Sequence, residues 1–92
     1  MSRFSLESQV AVVIGGTGVL GGAMAKGLSA AGAAVAVVGR SAERGEAVVD
    51  SIIARGGEAA FVAADAGSRA QLSAARDTIV SRFSEPQILV NA

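Results

Sequence analysis

The stretch from Val10 to Ala25, VAVVIGGTGVLGGAMA, restricts this chain more than any other. Val10, Val12, Val13 and Ile14 belong to a continuous rather than alternating apolar run, the pattern of a parallel strand covered by helices on both faces. A turn holding Gly15, Gly16 and Gly18 follows, and Gly21 and Gly22 open an Ala-rich segment. The stretch reads as strand, phosphate loop and helix, with the strand central in a sheet.

Gly16, Gly18 and Gly21 have the spacing G-x-G-x-x-G, in which one glycine permits the tight turn, one admits close approach of a pyrophosphate, and one lets the helix pack on the strand. The helix N-terminus then faces the phosphates with unpaired N–H groups and the positive end of its dipole, so an anion is held without a basic side chain. Glycine-rich turns also serve purely as strand-to-helix connections, and the rest of the chain has to decide between the two readings.

Ninety-two residues make at most one small domain, and a domain of this size buries only about 60–65% of the unfolded chain's surface. The composition is 51% hydrophobic with 3% aromatic, so the core is built from Ala, Val, Ile and Leu, and disorder is excluded. Eight Lys plus Arg balance eight Asp plus Glu with no run of like charge, which argues against nucleic acid or an anionic membrane as the main partner. Cysteine and histidine are both absent, removing disulfides, thiol nucleophiles, zinc sites and imidazole bases together; no metal site is expected. The N-terminal MSRFSLESQ has no apolar core of signal-peptide length, and no run approaches the roughly 20 residues needed to span a bilayer. The expectation is a soluble, cytoplasmic chain.

Residues 1 to 9 read as a lead-in with Phe4 and Leu6 tucked against the body. Leu20 to Ala31 reads as a helix with Ala23, Met24, Leu28 and Ala31 near helical spacing, and Gly32 stands where a left-handed C-terminal cap is expected. Lys26, the only lysine, falls on it as a solvated charge without a catalytic role. Ala34 to Val38 repeats the buried-strand pattern and leads into Gly39-Arg40-Ser41, with Ser41 as N-cap of a helix to about Arg55 whose buried side is Val48, Val49, Ile52 and Ile53. Gly56-Gly57 breaks that helix, and Glu58 to Ala64 is a third strand ending at Asp65-Ala66-Gly67. Ser68 and Gln71 fit a capping box, followed by Leu72, Ala75, Ile79 and Phe83 along one helical face. Pro86 stops this helix, and Ile88 to Val90 begin a fourth strand that ends at Asn91-Ala92.

Strand and helix alternate as βαβαβαβ, and right-handed crossovers arrange the strands in the order 3-2-1-4. This is an α/β, Rossmann-like, doubly wound parallel sheet of which residues 1–92 form the first half. The crevice at the carboxyl ends of strands 1 and 4 is the topological switch point where ligands bind such folds, and Gly15 to Gly21 and Asn91 lie there. An Asp or Glu at the end of strand 2, about 20 residues beyond the glycine turn, would hold a ribose 2′-hydroxyl. Here that place is Gly39, followed by Arg40 and Ser41, a cation and a hydroxyl donor where a 2′-phosphate would lie. NADP(H) is therefore the preferred cofactor and NAD(H) the alternative; the bland reading of Arg40 is a solvated loop charge. Asp65 either caps the next turn or accepts a hydrogen bond from an adenine amine.

With these residues in place, the chain resembles the N-terminal part of a short-chain dehydrogenase/reductase over nearly all of its length. The family's TGxxxGxG motif is met at Gly15 and Gly21, with Ile14 for the threonine and Val19 for the middle glycine; the spacing TGxxGxxG fits Gly15, Gly18 and Gly21 but again lacks the threonine. Ile14 forfeits a hydroxyl that the family uses to tie the turn, at an expected loss of affinity. Gly39-Arg40-Ser41 is similar to NADP-preferring members, Asp65 stands where the family's adenine-contacting aspartate sits, and Leu89-Val90-Asn91-Ala92 resembles the start of the NNAG motif. The resemblance implies that Asn91 steadies strand 4 and lines the ribose side, while Thr17 and Leu20 contact the cofactor. The run GGTGVLGGAMA is similar to members acting on sugar acids such as fructuronate or mannonate, and the resemblance implies a homo-oligomeric full-length protein.

The family's chemistry depends on a serine and a Tyr-x-x-x-Lys pair, and this sequence has no tyrosine. No residue of the chain is therefore assigned a catalytic role, and the chain alone is expected to be inactive as a piece of a longer oxidoreductase. The competing expectation is a non-catalytic dinucleotide-binding module, a redox sensor or a subunit completed by another chain; a serine followed by Tyr-x-x-x-Lys downstream would separate the two. A methyltransferase expects an acidic residue at the end of strand 2, which Gly39-Arg40 does not supply, and a P-loop enzyme expects Gly-Lys-Ser or Gly-Lys-Thr, which the chain lacks.

Overall fold

Seven elements alternate in a computed structural model of the chain that describes residues 5–15 and 17–92; Phe4 and Gly16 lie outside the described residues. They are β1 (Val10–Ile14), α1 (Val19–Ala30), β2 (Ala34–Gly39), α2 (Ala42–Ala54), β3 (Ala59–Ala63), α3 (Arg69–Arg82) and β4 (Ile88–Asn91). The four strands form one sheet in the order β3-β2-β1-β4, parallel throughout, as the sequence predicts. Val12 stands between Ala36 on β2 and Leu89 on β4, which makes β1 a central strand.

The continuous apolar runs follow from this layering. Ala11 and Val13 of β1 and Val35 and Val37 of β2 join Ala25 of α1 and Val49 and Ile52 of α2 in one core. Val10, Val12, Ala36 and Val38 turn to the opposite face and meet Ala75 and Ile79 of α3. Both faces of β1 and β2 are therefore dry, and burying a Val or Ile side chain fully contributes about 1.5–3 kcal/mol. Leu6 packs on the first core and its N–H donates to the Ala31 carbonyl at 2.7 Å, which docks the lead-in segment against the end of α1.

Helix ends follow local chemistry. Ser41 Oγ accepts from Arg44 N–H and Ser68 Oγ from Gln71 N–H, each at 3.2 Å, so both serines cap their helices as expected. Gly32 and Gly56 take φ of +109° and +86° and close α1 and α2 in the left-handed region. The reciprocal half of the α3 capping box is absent: Gln71 Oε1 accepts from Asp65 N–H at 2.8 Å, while Ser68 N–H donates to the Asp65 carbonyl. The loop from β3 curls back toward the helix and offers Gln71 a nearer donor than the cap residue.

Two helix faces differ from the sequence expectation. The inward side of α1 is Gly21, Gly22 and Ala25, with Leu28 half-buried, and Ala23 and Met24 face outward. Glycine lets the helix lie close on the sheet, so the residues without side chains set its inner face. On α2, Val49 and Ile52 are buried as expected and Val48 half-buried, but Ile53 lies a further 100° round the helix and is exposed.

Candidate cofactor-binding site

The carboxyl ends of β1, β2 and β3 and the turns that follow them meet at one edge of the sheet. Gly15 ends the run of β1 with φ +82°, its N–H donating to the Val38 carbonyl at 2.8 Å. On the other flank the Ile14 carbonyl accepts from Ala92 N–H at 2.9 Å. A side chain at position 15 fails twice, because the backbone is left-handed and a Cβ would stand 2.7 Å from the Ala92 carbonyl oxygen. Backbone hydrogen bonds to both neighbouring strands thus tie the turn where Ile14 offers no hydroxyl; Ile14 itself packs against the α3-side core.

Gly18 is the N-cap of α1, with φ −82° and ψ 173° and no side-chain cap, and the first turn carries no acidic residue. Gly22 N–H donates to the Gly18 carbonyl at 2.8 Å. The amides of Val19, Leu20 and Gly21 precede that bond and stand at the positive end of the α1 dipole, where an anion is favoured. Gly21 is buried toward the sheet, the packing role expected of the third glycine, whereas Val19 and Leu20 are 95% and 69% exposed beside the helix end. Asn91 lies across the other flank of the turn, paired in register with Ile14.

A hollow of about 410 Å³ opens between the three strand ends. Gly15 and Thr17 contribute from the glycine turn, Gly39, Arg40 and Ser41 from the end of β2, Arg44 from α2, and Asp65 from the end of β3. Five of the expected site residues, Gly15, Thr17, Arg40, Ser41 and Asp65, therefore share one cavity, while Gly18, Leu20 and Gly21 stand at the start of α1 and Asn91 on β4. Gly16 lies outside the described residues. Arg44 was not among the expected residues; its signal is its place one turn beyond the Ser41 cap, which brings it over the end of β2 beside Arg40. The Ser41 hydroxyl oxygen accepts from Arg44 N–H and retains its own hydrogen for donation. Asp65 Oδ1 accepts from Gly67 N–H at 2.8 Å, so of its two sequence readings the turn cap is formed.

A second hollow, about 300 Å³, lies between α3 and β4 and is lined chiefly by Val12, Ile14, Leu72, Ala75, Ile79 and Leu89. It is mostly apolar, with Arg76 and Gln87 as its polar lining residues. Among the described residues, no group of three His, Cys, Asp or Glu could hold a metal ion, and no helix is long and apolar enough to cross a membrane.

A parallel sheet of this strand order, with a glycine turn at the end of its central strand, defines a Rossmann-like α/β protein. Within that class the chain belongs to the short chain dehydrogenase family, whose model matches residues 9–92. It is 44% identical over 87 residues to "Uncharacterized oxidoreductase UxuB" of Bacillus subtilis (strain 168), covering 95% of this chain and 31% of that protein. A solved short-chain dehydrogenase/reductase from Serratia marcescens superposes with a TM-score of 0.90 at 40% identity, over 95% of this chain and 36% of the other. A metagenomic short-chain oxidoreductase solved in complex with NADP superposes with a TM-score of 0.86 at 33% identity, over 91% of this chain and 38% of the other. The chain thus spans about a third of the length of these relatives.

Proposed function

We propose that residues 1–92 are the NADP(H)-binding first part of a longer oxidoreductase that exchanges a hydride between NADP(H) and a carbonyl or alcohol. The observation that carries this reading is the end of β2: Gly39 offers no carboxylate, and Arg40, Ser41 and Arg44 line one hollow with the turn residues Gly15 and Thr17. The residues fit a dinucleotide at two separate points. The amides at the positive end of α1 suit the diphosphate, and the two guanidinium groups with the Ser41 hydroxyl suit a 2′-phosphate. Asp65 and Asn91 are read as the residues that would meet the adenine and ribose sides. When bound, the dinucleotide supplies the hydride; this chain's residues bind and orient it. The structure of a relative with NADP supports the choice of cofactor.

The test is the ratio of NADPH to NADH dissociation constants on the full chain before and after Arg40→Asp. A change of about tenfold or more toward NADH is expected from exchanging a charge-assisted partner for a repelling one, and an unchanged ratio discards the reading.

The 92 residues are inactive by themselves in this reading. A hydride transferred to a carbonyl needs a proton donor at the same oxygen; the chain holds no tyrosine, and Lys26 is exposed on the flank of α1. NADPH oxidation by the isolated chain with fructuronate or an oxo-ester, followed by absorbance, should not rise above a buffer blank, and a clear rate overturns this point. The similarity of GGTGVLGGAMA to sugar-acid oxidoreductases makes fructuronate the first substrate to try on the full-length protein.

A further inference from the structure

Gly39 and Gly15 are both glycines at strand ends, but for different reasons. Gly15 has a left-handed backbone, whereas the φ of Gly39 is one that any residue adopts. What Gly39 lacks is room: a Cβ there would stand 2.6 Å from Thr17 Cγ2, 3.1 Å from Thr17 Oγ1 and 3.4 Å from Thr17 Cβ. The β2 backbone has no freedom to retreat. Gly39 is paired with Ala63 of β3, its carbonyl accepts from Ala64 N–H at 3.0 Å, and the preceding carbonyl of Val38 accepts from Gly15 N–H. Rotation of Thr17 clears the space only in part, because a heavy atom left in the second position still stands 3.1 Å from the added Cβ. Two of the three staggered positions on its Cβ carry heavy atoms, so at least one of the two positions nearest Gly39 is filled in every rotamer.

We infer that Thr17 is a specificity-determining residue: it occupies the space at the end of β2 that a carboxylate side chain would need in order to hold a ribose 2′-hydroxyl. Selectivity against NAD(H) then has a second barrier beside the Arg40 charge: an acid introduced at position 39 is crowded until Thr17 is trimmed. The inference rests on the NADP(H) reading of this hollow and adds to it the residue that enforces it.

Dissociation constants for NADH and NADPH, measured by fluorescence titration on the full chain, compare Thr17→Ala, Gly39→Asp and the double variant. Gly39→Asp alone leaves NADH affinity within about twofold of its starting value, and the double variant binds NADH about tenfold or more tighter than either single one, the scale of one added hydrogen bond to a charged acceptor. Equal gains from Gly39→Asp with and without Thr17→Ala overturn the inference while leaving the NADP(H) reading intact. If the unaltered protein binds NADH as tightly as NADPH, that reading fails and the inference with it. Thermal unfolding isolates the contact itself: Gly39→Ala lowers Tm in the native background and not in the Thr17→Ala background, and strictly additive losses overturn the proposed clash. Should Gly39→Asp fail to fold alone, folding of the double variant is the expected rescue, and failure of both counts against the inference.

Discussion

Among the described residues, the two halves of the sheet are covered to different degrees. Along β1 and β2 both faces are covered, and Val13, Val35, Val37 and Val38 have at most 1% of their surface exposed. Along β4 the residues alternate between half-buried and exposed, with Leu89 69% exposed over the hollow beside α3. The same apolar side chains thus sit in a closed core on one side of β1 and on an open face on the other. The difference teaches that hydrophobicity identifies a strand of a parallel sheet, whereas coverage decides what that strand contributes to stability.

The sharpest way to break this comparison is to cut one large side chain from each half. Ile52→Ala removes a side chain that is 2% exposed under β2 and should cost about 2–5 kcal/mol in denaturant unfolding. Leu89→Ala should cost about 0.5 kcal/mol or less, as exposed positions do. Equal losses would show that the β4 face is covered in solution. Next in size is Gly15→Ala, which forces a left-handed alanine against the Ala92 carbonyl; a loss of about 1–2 kcal/mol from the backbone alone is expected, with more from the clash. A neutral Gly15→Ala, read by the same unfolding curve, would mean that the turn is not pinned between β2 and β4. Ser68→Ala should cost about 1 kcal/mol through its cap. Arg76→Ala belongs with Leu89→Ala at the small end: Arg76 Nη2 meets Glu85 at 2.7 Å, yet both side chains are more than half exposed, and such pairs contribute about 0–1 kcal/mol.

Much of this arrangement is legible in the residues because the signals are local. A continuous Val-rich run names a covered strand, Ser41 and Ser68 name helix starts, and Gly32 and Gly56 name helix ends; short connections then leave few strand orders to choose from. The phase of α1 is not legible, because Gly21 and Gly22 contribute nothing to a hydrophobic period and yet form its inner face. Nor is Gly45, which is buried in α2 against the Phe61 ring of β3 with no room for a Cβ. At the candidate site the strand ends and Arg40 could be placed from position alone. Arg44 and the contact between Thr17 and Gly39 depend on how separate turns converge, and no pattern along the chain encodes that.

One seam of the sheet bears on how the chain assembles. Val10 N–H donates to Gln87 Oε1 at 2.7 Å across 77 residues, and Gln87 N–H returns to the Val10 carbonyl. The β1 strand therefore has one flank unsatisfied until the segment carrying Gln87, 77 residues later, has been synthesised. Bridging so long a segment makes this closure a late and slow step, and until then an apolar ribbon waits with its donors and acceptors open, in need of shelter from neighbouring nascent chains.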